Sequence, residues 1–212
     1  MNAPARQTIL HVQDLSFAYP GQPALASHWS ASFSPGVTLL HGDTGSGKST
    51  LLRVLAGALP ATGCITLAGV CLADDPEAYR RQVFWCDPAT HAFDQATARE
   101  CTASLSAGDA SFSETEWHTL VEGFALAPHL NKPMYMLSTG SKRKVWLAAA
   151  LASGRQLVLL DEPTGGLDAA SVGCLWGALG RGAGRAGQAV VIASAERVDR
   201  VALTGSIGLP LR

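Results

Sequence analysis

The feature that most restricts this chain is the run Gly42-Asp43-Thr44-Gly45-Ser46-Gly47-Lys48-Ser49, which fits G-x-x-x-x-G-K-[ST] at every fixed position. Before it, Val37-Thr38-Leu39-Leu40 reads as a buried strand. After it, Leu51, Leu52, Leu55 and Leu59 recur on one helical face until Gly57 and Pro60 end the helix. In a strand, glycine loop and helix, main-chain N–H groups curl around a phosphate and the helix N-terminus adds positive potential. Lys48 then reaches the outer phosphate oxygens and the Ser49 hydroxyl can ligate Mg²⁺, with Thr50 completing the nucleotide-binding run.

A second part of such a site lies downstream, where Leu157-Val158-Leu159-Leu160 reads as a fully buried strand ending in Asp161-Glu162. That places two carboxylates at the carboxyl edge of a sheet, where ligands of open α/β folds bind. Asp161 is the expected Mg²⁺ ligand, and Glu162 the group that orients or deprotonates an attacking water.

Ala189-Val190-Val191-Ile192-Ala193 is a further buried strand. Short strands are expected at Thr8–Val12 and Leu15–Tyr19, a hairpin or strand pair at Cys64–Leu67 with Ala68-Gly69-Val70, and a strand at Val83–Cys86. Residues 87–137 are polar and patchily helical around Glu114–Phe124, and helical periodicity returns at Ser141–Leu151. The expected class is α/β: a P-loop NTPase core with a mainly parallel sheet flanked by helices, an N-terminal antiparallel β lobe and a small helical subdomain. We expect one domain over residues 1–212, with 1–86 and 138–212 as the nucleotide-binding core and 87–137 as the helical subdomain.

Composition narrows the function. The formal charge of −1 is not that of a protein that holds nucleic acid through its phosphates, so no nucleic-acid partner is expected. Hydrophobic residues at 47% and charged residues at 16% exclude a disordered chain. The uncharged stretches 15–42 and 54–73 are broken by prolines and glycines, so neither reads as a membrane span. Residues 1–6 show no signal-peptide core, and five scattered cysteines suggest neither a disulfide framework nor a zinc site, which reads as a reduced compartment. The six histidines show no metal spacing, and His41 beside the loop reads as packing. Gly182 to Gly187 formally matches G-x-G-x-x-G but precedes a strand, so it reads as a connection and not as a dinucleotide site.

With these motifs in this order, the sequence resembles the ATP-binding cassette of the ABC family along nearly its whole length. Leu137-Ser138-Thr139-Gly140-Ser141 resembles the family signature L-S-G-G-Q, and the run Lys142-Arg143-Lys144 follows it. The resemblance implies that Ser138, Thr139, Gly140 and Ser141 grip the γ-phosphate of ATP held by a second cassette, in a homodimer or heterodimer. The bland reading of the basic run is a solvated helix face, favoured for Lys142. Thr164-Gly165-Gly166-Leu167-Asp168 is similar to the family's D-loop, with Asp168 at the dimer interface. Tyr19 stands where the family places the aromatic residue that stacks on adenine. The helical insertion matches the subdomain that docks on an integral membrane transporter subunit. The cofactors implied are ATP and Mg²⁺, and the location implied is the cytoplasmic face of a membrane.

Two departures from the family pattern stand out. Ala195 in Ala193-Ser194-Ala195-Glu196 occupies the place of a histidine that contacts the γ-phosphate, and Asp87 occupies that of a glutamine that senses Mg²⁺. Asp87 is thus a candidate metal ligand, though shorter and charged. Losing one positioned contact to developing charge costs about 2.7 to 4 kcal/mol. The expectation is an ATPase subunit of a membrane transporter with slow intrinsic turnover. The alternatives are a regulatory ATP-binding cassette with negligible hydrolysis and, behind it, a soluble ABC ATPase acting on nucleic acid or ribosomes.

Overall fold

The computed structural model describes residues 8–87, 89–182 and 187–211. Its elements are β1 (Leu10–Phe17), β2 (Ala26–Phe33), β3 (Gly36–His41), α1 (Lys48–Leu55), β4 (Thr62–Leu67), β5 (Val70–Cys71), α2 (Pro76–Arg81), β6 (Val83–Phe84), α3 (Ala98–Ser106), α4 (Glu114–Gly123), α5 (Thr139–Ala152), β7 (Leu157–Asp161), α6 (Ala169–Gly182), β8 (Ala189–Ser194) and β9 (Leu203–Gly208). Residues 1–6, read as lacking a signal core, lie outside the described residues, as do residues 183–186 of the glycine-rich connection.

The larger sheet has the order β6-β7-β8-β3-β9 and is parallel throughout. Its central strands are apolar on both faces because both faces are covered. Val37, Leu39, Val158, Leu160, Val190 and Ile192 pack into one core with α4, α5 and α6. Their neighbours Leu40, Leu157, Leu159, Ala189, Val191 and Ala193 pack into a second core with α1 and the smaller sheet. Alternate residues thus divide between two cores, as the period of two of a strand requires.

The smaller sheet, β2-β1-β4-β5, is antiparallel and forms the N-terminal lobe. The two short strands expected at Thr8–Val12 and Leu15–Tyr19 are one strand, β1, interrupted by bulges. The bulge at Asp14, with φ of 54°, keeps Leu10, Val12 and Leu15 buried on either side of it. Gly63 closes against this bulge at φ +101°, and a Cβ there would lie 2.5 Å from the Asp14 carbonyl oxygen, so no larger residue fits. The β4–β5 hairpin turns through Ala68 and Gly69, both at positive φ, as a two-residue type I′ turn demands.

Several elements differ from the expected pattern. β2 and β9 were not anticipated, because β2 alternates around serines and His28 on a half-exposed face and β9 is a glycine-containing edge strand. The strand expected at Val83–Cys86 pairs only at Val83 and Phe84. Helix α1 stops at Leu55, and Gly57 at φ +68° accepts the left-handed position that ends it, leaving Leu59 outside the helix. α2 carried a readable start signal: Pro76 at its first position and Asp75, whose carboxylate accepts from the Ala78 amide at 2.8 Å. α3 starts on a capping box between Thr97 and Glu100. Among the described residues, no helix is long and apolar enough to cross a membrane.

Candidate nucleotide-binding site

β3 delivers the chain into the glycine loop at the carboxyl edge of the parallel sheet, beside the ends of β7 and β8. Gly47 caps α1 at φ 96° with no side-chain hydrogen bond, so no side chain competes for the first-turn amides. The positive φ accounts for glycine here; a Cβ would also meet a methyl carbon of Leu25, which would have to turn aside.

Lys48 is only 6% exposed. Its ammonium donates to the carbonyls of Gly42 at 2.7 Å and Asp43 at 3.0 Å, and lies 3.7 Å from Oε1 of Glu162. The loop thus folds around its own cation, and a phosphate entering the cleft would meet that charge without desolvating a free lysine. An open cleft of about 550 Å³ is lined by Thr44, Gly45, Gly47, Lys48, Ser49 and Thr50 on one side and by Glu162, Thr164, Gly165, Ala195 and Glu196 on the other.

Asp161 is the last residue of β7, and the Ser49 hydroxyl hydrogen-bonds to it. Burial pushes its carboxyl pKa up; the bond from Ser49 pulls it down and the neighbouring Glu162 charge pushes it up again. Its Oδ1 is buried with no hydrogen-bond partner. A buried, unpartnered carboxylate oxygen beside a hydroxyl is a hard oxygen donor set, which suits Mg²⁺.

Glu162 sits at φ 41°, a left-handed conformation that costs a non-glycine residue of order 1 kcal/mol or more. Its amide donates to the Ala193 carbonyl at 2.9 Å, and its own carbonyl accepts from the Gly165 amide at 3.1 Å. These bonds hold the strained turn and aim the carboxylate into the cleft, where Oε1 accepts from the Ala195 amide at 2.9 Å.

Tyr19 is 43% exposed beside the loop, its hydroxyl 3.3 Å from that of Thr50 and its ring edge-on to Phe17. Asp87 is engaged through both oxygens: Oδ2 accepts from Arg53 at 3.1 Å and Oδ1 from the Ala89 amide at 2.9 Å. Arg53, on α1 five residues beyond Lys48, was missed from the sequence, since an arginine within a helix carries no site signal of its own.

Ser138 caps α5, accepting from the Ser141 amide at 3.1 Å and donating to the Ser141 hydroxyl at 3.0 Å. Ser138 and Thr139 are exposed, and none of the four signature residues is among those lining the Lys48 cleft. Gly140 is pressed against the chain's own D-loop, where a Cβ would lie 2.5 Å from the Gly166 carbonyl oxygen. Arg143 donates to the Gly165 carbonyl. Lys142 is not a solvated cation: it pairs with Asp94 at 2.8 Å, and Asp94 also bonds His91 at 2.8 Å. Lys144 pairs with Asp168 at 2.6 Å, while Asp168 caps α6 by accepting from the Ser171 amide and hydroxyl, both at 2.9 Å. His41 packs against Gly208 on β9.

A glycine loop, a buried lysine and two carboxylates at one edge of a parallel sheet define a P-loop NTPase fold, here with an antiparallel lobe beside it. The chain belongs to the ABC transporter family, whose model matches residues 28–165, and within it the chain is an ATP-binding subunit. It is 39% identical over 175 residues to the cytochrome c biogenesis ATP-binding export protein CcmA of Rhodospirillum rubrum, covering 81% of this chain and 74% of that one. To CcmA of Pseudomonas aeruginosa it is 33% identical over 192 residues, covering 89% and 94%. A solved structure of the ATP-binding subunit of an ABC transporter superposes with a TM-score of 0.76 at 27% identity, covering 88% of this chain and 79% of that one.

Proposed function

We propose that this chain is the ATP-hydrolysing subunit of an ABC membrane transporter, with slow intrinsic turnover. The observation that carries the reading is the approach of Lys48 to Glu162, 3.7 Å apart across a cleft that Ser49 also lines, beside Asp161. Lys48 and the loop amides bind the phosphate tail, the Tyr19 ring offers a face for adenine, and Glu162 accepts a proton from the attacking water. Mg²⁺, held by Ser49 and Asp161, supplies charge neutralisation when bound.

Slow turnover follows from Ala195. Its methyl group cannot donate to a γ-phosphate, and its amide is spent on Glu162. Asp87, tied to Arg53 and the Ala89 amide, is better read as an anchor for that arginine than as a metal ligand. In this reading Ser138, Thr139, Gly140 and Ser141 face ATP on a second cassette, and residues 87–137 dock on a separate membrane-spanning subunit at the cytoplasmic face. The names of the CcmA relatives favour an export system of cytochrome c biogenesis as the setting. The regulatory alternative draws on the same two substitutions.

The test is steady-state phosphate release by the purified chain beside Lys48→Ala and Glu162→Gln, with calorimetry for ATP binding. We expect slow release that falls ~10² to 10⁴-fold in Glu162→Gln with binding kept, and binding lost in Lys48→Ala. Release indifferent to Glu162→Gln would leave the regulatory cassette as the function.

A further inference from the structure

Outside the lining of the cleft, the β4–β5 hairpin carries two cysteines with their sulfurs in contact. The register pairs Thr66 with Cys71 and Leu67 with Val70, so Cys64, two residues before Thr66, shares the Thr66 and Cys71 face and is Cys71's diagonal neighbour. The Sγ atoms are 3.8 Å apart, and the Thr66 hydroxyl lies 3.6 Å from Cys64 Sγ. Both thiols are half-buried, so small solutes reach them while β4 and β5 hold them together.

We propose that Cys64 and Cys71 form a reversible intramolecular disulfide site, oxidised by a small disulfide of the glutathione type. The step balances as two exchanges. A thiolate of the pair attacks one sulfur of the oxidant, forming a mixed disulfide and expelling one thiol. The second cysteine, as thiolate, attacks the protein-side sulfur of that mixed disulfide and expels the other thiol. The oxidant gains two electrons, the cysteine pair loses two, and the protons of the two cysteines end on the two released thiols.

Proximity makes the second exchange intramolecular; closing the bond needs the sulfurs to move from 3.8 Å to about 2.05 Å, and because diagonal neighbours stand about 7 to 8 Å apart, the two-residue strand β5 must shift toward Cys64 as the side chains turn. Cys86 and Cys101 also lie near enough to interact, but Cys101 is buried. Burial pushes the Cys86 thiol up to about 12 and that of Cys101 up to about 11, which keeps both protonated and unreactive at neutral pH. Cys174 is also raised by burial.

The site has a structural consequence. β5 is an edge strand joined to β4 by two residue pairs and the Leu72 amide bond to the Ile65 carbonyl at 2.9 Å. A covalent tie would convert this short pairing into a fixed one and slow local opening of the hairpin.

The full-length chain is incubated in reduced and oxidised glutathione at graded ratios, and its free thiols are counted beside peptide mass mapping. The expected result is loss of two of the five thiols, a Cys64–Cys71 linked peptide without bound glutathione, recovery on dithiothreitol, and slower exchange of the Leu72 amide that bonds across the hairpin. Cys71→Ser, and separately Cys64→Ser, should stop at a single mixed disulfide. A wild-type chain that also stops at mixed disulfides, that links between molecules, or that loses Cys86 or Cys101 first would overturn the assignment.

Discussion

The Ala195 amide donates to Oε1 of Glu162 at 2.9 Å, while Lys48 stands 3.7 Å from the same oxygen. The carboxylate expected to handle the attacking water is therefore clamped between a backbone amide and the phosphate-binding cation. A residue at position 195 with a donating side chain would keep the amide contact and add a second donor over the γ-phosphate.

Ala195→His should accordingly raise kcat for ATP, by roughly tenfold and at most ~10², the lower end of what one positioned donor to developing charge contributes. KM should move little, because the contact forms as charge develops. Single-turnover phosphate release distinguishes a faster chemical step from faster product loss. An unchanged rate would place the limit elsewhere in the cycle.

Asp161 is half-buried with one oxygen unpartnered and its carboxyl pKa raised by burial. For an acid raised in the folded state, the native form holds its proton to higher pH than the unfolded chain does. Stability from this group therefore falls as pH rises from the ordinary carboxylate range through the folded value. Asp161→Asn should stabilise the nucleotide-free protein at neutral pH by roughly 0.5 to 1 kcal/mol after allowance for solvent screening, or about 2 °C in Tm. The same variant should lose the stabilisation that ATP with Mg²⁺ gives the wild type, which thermal melts with and without nucleotide would show.

Asp87→Gln releases Arg53 from its anchor. Both partners are more than a third exposed, so the pair contributes no more than about 1 kcal/mol and Tm should shift little. The rate of ATP hydrolysis should rise, and the rise should be greatest in the double variant with Ala195→His. A rate that falls in Asp87→Gln would show that the carboxylate itself takes part.

Asp168 is held well below the usual carboxylate range, first by Lys144 and then by the Ser171 amide and hydroxyl. A lowered acid stabilises the fold above its unfolded pKa of about 3.9 and loses that contribution as pH falls through the lower folded value. Lys144→Met removes the largest cause, so stability at pH 7 should fall by this contribution, the acid limb of unfolding should begin at higher pH, and the two proteins should converge below the folded value. Acid titration followed by near-ultraviolet circular dichroism would measure the shift.

The sequence by itself determined the phosphate loop at 42–49, the acidic pair at 161 and 162, the buried strands at 37–40, 157–160 and 189–193, and the hairpin at Ala68-Gly69. Each is encoded by local chemistry: glycines where φ must be positive, apolar runs where both sheet faces are covered, and a fixed spacing around one lysine. What only the tertiary structure decided is which distant groups meet. Arg53 finds Asp87, Lys142 finds Asp94, Lys144 finds Asp168, the Ala195 amide finds Glu162 and Cys64 finds Cys71. Apart from the cysteine pair, which the register of one hairpin brings together, none of these partnerships leaves a periodic or compositional trace, because each depends on how two elements are set against each other, and that setting comes from the packing of the whole core.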